Sequence, residues 1–164
     1  MSTSDESDMC RQTDSPRLPP EWQARPGPEA PRAAVCAPPR RHRWIASALR
    51  PHAREISFAS SVEETAKTDA ELVVISHELA PEPSSGQWLS RGPCDREGTD
   101  PLRVVIDAPE SARVAWLTGG ADLAVGPETP VPELGAQIGA LLRRAEAERD
   151  RNPLTGLPGN CLLR

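Results

Sequence analysis

Aromatic residues are scarce in this chain: it has one Phe, no Tyr and four Trp. Any core must therefore be built mainly from aliphatic side chains. Trp44, Trp88 and Trp116 read as packing residues rather than as a platform for stacked bases. A cationic surplus is missing too. The formal net charge is −5, which disfavours a protein whose main business is a nucleic-acid backbone. No CxxC pair occurs among Cys10, Cys36, Cys94 and Cys161, and His42, His52 and His77 complete no zinc motif. No metal centre and no cofactor are expected, and isolated thiols suit a reducing cytoplasm. No apolar run approaches the roughly 20 residues that span a bilayer. The acidic opening MSTSDESDMC is not a signal peptide. The expectation is a cytoplasmic protein with no membrane and no nucleic-acid partner.

Proline is abundant, with 19 residues. Residues 1–31 combine Pro16, Pro19, Pro20, Pro26, Pro28 and Pro31 with little apolar content. Such a stretch buries too little surface to offset chain entropy, so a disordered tail is expected. Beyond it, short apolar runs alternate with helical patterns. Ala33–Ala37 reads as a strand closed by Pro38 and Pro39, and Trp44, Ile45, Ala48 and Leu49 recur at helical spacing before Pro51. Ile56 and Phe58 alternate with polar residues as a second strand. Residues 61–69 form a polar helix capped by Ser60 or Ser61, with Glu64 in the capping-box position.

Leu72–Ile75 and Val104–Ile106 are continuous β-branched runs, the pattern of central parallel strands covered on both faces. Between them, residues 80–101 are a long polar connection with room for one short helix near Gln87–Arg91. A helix over Ser111–Thr118, ended by Gly119 and Gly120, leads to a last strand at Asp122–Val125. The final helix starts at Pro132, with Leu134, Ile138, Leu141, Leu142 and Ala145 on one face. The subsequent EAERDR is charged on all sides, as a connector would be. Strands alternating with helices predict an α/β domain: a flavodoxin-like, doubly wound, five-stranded parallel sheet with a long C-terminal helix.

The phrase GGADLAVGPETPVPELGAQIGALLRR, together with this element order, resembles the end of a response-regulator receiver domain. The resemblance implies five functional positions: two metal-binding acids after the first strand, a phosphoacceptor aspartate after the third, a hydroxyl after the fourth and a lysine after the fifth. Those positions here hold Pro38, Pro39, Arg40 and Arg41, then Ser76, Asp107, and Gly126 or Pro127. The resemblance therefore implies a degenerate receiver, or pseudo-receiver, with Ser76 at the phosphoacceptor position and no phosphotransfer chemistry.

The segment NPLTGLPGN, after the charged helix, is similar to the opening of GGDEF domains, the catalytic modules of diguanylate cyclases. The similarity covers Asn152, Pro153, Leu154, Thr155, Gly156, Leu157 and Pro158; Asn152 stands where that family has aspartate, and Gly159-Asn160 replaces its Asn-Arg. The implied organisation is a tail (1–31), a pseudo-receiver (32–145), a connector helix (146–151) and the truncated start of a GGDEF domain (152–164). The catalytic motif itself is absent from these residues.

Arg40, Arg41, Ser76 and Asp107 are candidate functional residues, because they fall at the carboxyl edge of the sheet, where ligands bind in such folds. Ser76, His77 and Asp107 do not read as a hydrolase triad, because adjacent strand residues face opposite ways and no GxSxG elbow is present. The block Arg32, Arg40, Arg41, Arg43, Arg50 and Arg54 reads as one solvated helix face, with a local anion or partner site as the alternative. Trp116 and Asp122 mark a candidate dimer face if the Trp116 ring points outward. The leading expectation is a non-catalytic input module of a cyclic-di-GMP signalling protein. It forms a homodimer and relays dimer geometry through its last helix to a GGDEF domain. The alternative is a stand-alone protein-interaction module without a cyclase.

Overall fold

A computed structural model describes residues 26–80 and 100–149. Nine elements follow one another through them: β1 (Arg32–Cys36), α1 (Pro39–Leu49), β2 (Glu55–Phe58), α2 (Val62–Ala66), β3 (Leu72–Ser76), β4 (Leu102–Ile106), α3 (Glu110–Thr118), β5 (Leu123–Ala124) and α4 (Val131–Arg149). The five strands form one parallel sheet in the order β2-β1-β3-β4-β5. This is the flavodoxin-like order, and the strand sequence reverses between β1 and β3. Most of the expected tail, the short helix near Gln87–Arg91 and the Asn152–Pro158 motif lie outside the described residues.

Strand alternation divides the core between two faces. Ala33, Val35, Leu72, Val74, Val104 and Ile106 pack with Ile45 and Leu49 of α1 and Leu134 and Ile138 of α4. On the other face Cys36, Val73 and Ile75 form a cluster against Val62 of α2. Beside them Val105 packs with Trp116 of α3. Every residue of β3 is buried, which is why its sequence carries no polar alternation.

The helix termini obey local chemistry. Pro39 opens α1, five residues earlier than the apolar spacing from Trp44 indicates. A first-turn proline loses no hydrogen bond, and its fixed φ suits the helix. At α2 the Ser61 hydroxyl accepts from the Glu64 N–H at 3.2 Å, while the Glu64 carboxylate accepts from the Ser60 N–H at 2.7 Å. Two otherwise unpaired donors are thereby satisfied. After α3 the chain turns through Gly120 at φ 97°, a left-handed position that glycine adopts without strain.

The final helix is continuous from Val131 to Arg149. Leu134, Gly135, Ile138 and Gly139 are buried. Leu141, Leu142 and Ala145 are half-buried, and Glu146–Arg149 are exposed. The apolar stripe thus ends at Ala145 while the helix goes on. No helix among the described residues is long and apolar enough to cross a membrane.

Candidate functional site at the carboxyl edge of the sheet

The reversal point lies between the carboxyl ends of β1 and β3, and three connections converge there. The first turn of α1 brings Arg40 and Arg41, the end of β3 brings Ser76 and Glu78, and the end of β4 brings Asp107. An open depression of about 460 Å³ is lined by Arg40, Arg41, Glu78, Asp107 and Pro127. Four of the residues singled out from sequence are therefore neighbours. Glu78 was missed, because two positions past a strand it reads as ordinary loop polarity.

The centre of the site is a fork-to-fork ion pair. Arg41 Nε donates to Asp107 Oδ2 at 3.1 Å, and Arg41 Nη2 donates to Asp107 Oδ1. The same Nη2 reaches the Pro127 carbonyl at 3.3 Å. Arg41 therefore ties the start of α1 to the ends of both β4 and β5. Its guanidinium carbon also lies 4.9 Å from the Trp44 ring centroid, a cation–π contact of about 0.5–1 kcal/mol. The side chains of Arg41 and Asp107 are 24% and 14% exposed, so water screens this pair only in part.

Asp107 occupies a left-handed backbone position, φ 58°. Aspartate tolerates this region better than most residues because its short polar side chain can bond locally. Ser76, fully buried, donates from Oγ to Asp107 Oδ2 at 3.4 Å. Toward solvent, Arg40 Nη2 pairs with Glu78 Oε2 at 2.5 Å. Both cations are thus matched by carboxylates, and the site neutralises itself.

This arrangement is the inverse of a phosphoryl-accepting centre. Where such a centre needs carboxylates to hold a cation, it presents two guanidiniums. Where it needs a nucleophilic carboxylate, it presents a buried hydroxyl. Past β5, a Cβ on Gly126 would collide with Arg113 Nη2, so Arg113 already fills that direction. Among the described residues no cluster of three or more His, Cys, Asp or Glu is placed to hold a metal ion.

His77 is turned away from Ser76. Its Nδ1 accepts from Trp116 Nε1 at 2.9 Å, with the rings edge to face at 5.8 Å. A Ser–His–Asp relay cannot form from this geometry. The same contact bears out Trp116 as a packing residue: it is 1% exposed and turned inward. The outward ring needed for an interface anchor is not there; Val114 and Leu117, 72% and 47% exposed, are the apolar residues α3 offers. Asp122 has a local role, since its Oδ2 accepts from the Arg103 N–H at 2.7 Å.

The arginine block is not one helix face. Arg32 lies on β1 beside Glu71, Arg54 donates to the Pro28 carbonyl, and only Arg40, Arg41 and Arg43 share α1, with Arg50 at its C-cap. The β1–α1 turn separates them onto opposite ends of the sheet. Cys36, at the end of β1, is buried, and its thiol pKa is raised by burial and then by Glu63 and Glu64. It is a packing residue and not an activated nucleophile. Neither protein-family models nor curated proteins give a match to this chain.

Proposed function

We propose that this chain is a cytoplasmic pseudo-receiver: a receiver-like scaffold that serves as the input module of a cyclic-di-GMP signalling protein. The observation that carries the reading is α4. It leaves the core at Ala145 and continues as an exposed helix to Arg149, just before the segment Asn152–Pro158 that resembles a GGDEF opening. A helix without apolar contacts beyond its own domain gains nothing from packing there. Its use is to hold the adjoining output domain at a fixed distance and angle.

The mechanism is geometric. Two copies associate, their final helices run side by side, and the helical phase sets the placement of two output domains. A diguanylate cyclase joins two GTP molecules held on two domains, so mutual placement governs the rate. The self-neutralised edge at Arg41 and Asp107 supports a scaffold that works without phosphotransfer. Incubation with acetyl phosphate and magnesium should leave no acid-stable, hydroxylamine-sensitive acyl phosphate.

The second reading is an interaction module without a cyclase, favoured by the exposed Val114 and Leu117 on α3. Two measurements separate them. The coding sequence downstream of Arg164 should continue into a GG[DE]EF motif at the usual domain spacing. The longer protein should sediment as a dimer, and a strict monomer at high concentration would defeat the dimer mechanism.

A further inference from the structure

Gly135 and Gly139, one helical turn apart and both buried, leave a notch in the side of α4. The ring of His52, in the turn after α1, fills it. A Cβ on Gly139 would lie 2.6 Å from His52 Cε1 and 3.2 Å from each ring nitrogen, and one on Gly135 would lie 3.3 Å from the Ala48 carbonyl oxygen. The imidazole therefore sits at a close approach between α4 and the α1 end of the body. Its backbone is fixed by the His52 N–H, which donates to the Leu49 carbonyl at 2.8 Å.

The surroundings of the ring favour its neutral form. Burial lowers the His52 pKa from the ordinary 6.5, the Gly135 backbone hydrogen bond opposes this, and Arg143 pushes it lower. Arg143 acts from α4, and Arg50 and Arg54 flank His52 in its own turn, both exposed, with Arg54 tied to the Pro28 carbonyl. On the α1 side, the Ala48 carbonyl oxygen and His52 Nε2 both face the same point on α4, 3.3 Å and 3.9 Å from where a Gly135 Cβ would sit.

We infer that His52 is a proton-sensitive wedge: neutral, it seats α4 against α1; protonated, it leaves the glycine notch and loosens the hold of the body on α4. The sign comes from linkage. A histidine with a depressed folded pKa contributes stability that is complete above the unfolded value of 6.5. That contribution is lost as pH falls from there through the folded value. Acid should therefore loosen α4. Any effect on an output domain rests on the connector role proposed above, whereas the wedge concerns contacts inside this chain.

The test combines two NMR measurements on the 164-residue chain. Titration of the imidazole Cε1 protons should place His52 below 6.5. Amide exchange, corrected for its intrinsic pH dependence, should show α4 opening about tenfold more for each unit of that depression, once the pH is below the folded value. Amides of β3 and β4 should respond less. His52→Gln, a neutral side chain of similar reach, should abolish the pH response of α4. A His52 titrating at or above 6.5 would overturn the inference, as would an α4 whose pH response survives in His52→Gln. A monomeric parent protein would leave both readouts intact, so failure of the dimer mechanism is distinguishable.

Discussion

Removing Arg41 tests the ion pair at the sheet edge most directly. In Arg41→Ala the Asp107 carboxylate, 14% exposed, keeps the Ser76 hydroxyl at 3.4 Å but loses both guanidinium bonds. Breaking a fully buried pair costs about 3–5 kcal/mol, while exposed pairs are worth about 0–1 kcal/mol. Partial exposure of both partners puts Arg41→Ala near 2 kcal/mol, about 8–16 °C in Tm for a domain near 100 residues. Asp107→Asn is the better partner variant, because asparagine also tolerates the left-handed backbone at φ 58°. Asp107→Ala would add about 1–2 kcal/mol of backbone strain and confuse the comparison. Urea denaturation of wild type, both single variants and the double variant should give a coupling of about 1–2 kcal/mol at unchanged slope. High salt should weaken this coupling less than that of the more exposed Arg40–Glu78 pair. Strict additivity of Arg41→Ala and Asp107→Asn would refute the view that these residues stabilise one another.

Packing sets three further outcomes. Gly139→Ala should gain up to about 1 kcal/mol of helix propensity but lose about 1–3 kcal/mol to the clash with His52. In a His52→Ala background the same change should become stabilising, and equal effects in both backgrounds on thermal melting would count against the notch. His77→Ala removes the imidazole acceptor from the buried Trp116 indole and should cost about 1–3 kcal/mol in chemical denaturation, whereas Trp116→Ala should cost about 3–5 kcal/mol. Cys36 should react with iodoacetamide at least about tenfold more slowly in the folded protein than in urea, read site by site by mass spectrometry, because burial and Glu63 and Glu64 disfavour its thiolate.

The sheet was legible because its strongest strands announce themselves. Leu72–Ile75 and Val104–Ile106 carry no polar alternation, and parallel strands buried on both faces are the structures that tolerate this. Prolines and glycines then marked most of the turns. The start of α1 was harder, since Pro38, Pro39, Arg40 and Arg41 look like loop until the first-turn preference for proline is applied. β5 shrank from the expected Asp122–Val125 to Leu123–Ala124, because a two-residue edge strand has almost no periodicity to read.

Side-chain direction was the main loss in the site. On α3 two directions were open for Trp116, inward packing or an outward ring at a dimer face, and it turns inward to pack with Ala112, one turn away. Spacing of four between Ala112 and Trp116 was the available signal. The same spacing, in Gly135 and Gly139 beside Leu134 and Ile138, marked the notch that receives His52. The partition of the arginines was invisible for another reason. Residues close along the chain separate by the length of a strand once β1 and α1 fold antiparallel to each other.

The pairing at the carboxyl edge also governs how this scaffold can be re-engineered. Converting Arg40 or Arg41 to an acid strands Glu78 or Asp107 beside a like charge. Placing a lysine at Gly126 drives it into Arg113. Each single step toward a phosphorylatable centre is uphill before the others are in place. Only concerted replacement of several residues crosses that barrier, so a phosphorylatable centre cannot be installed here one substitution at a time.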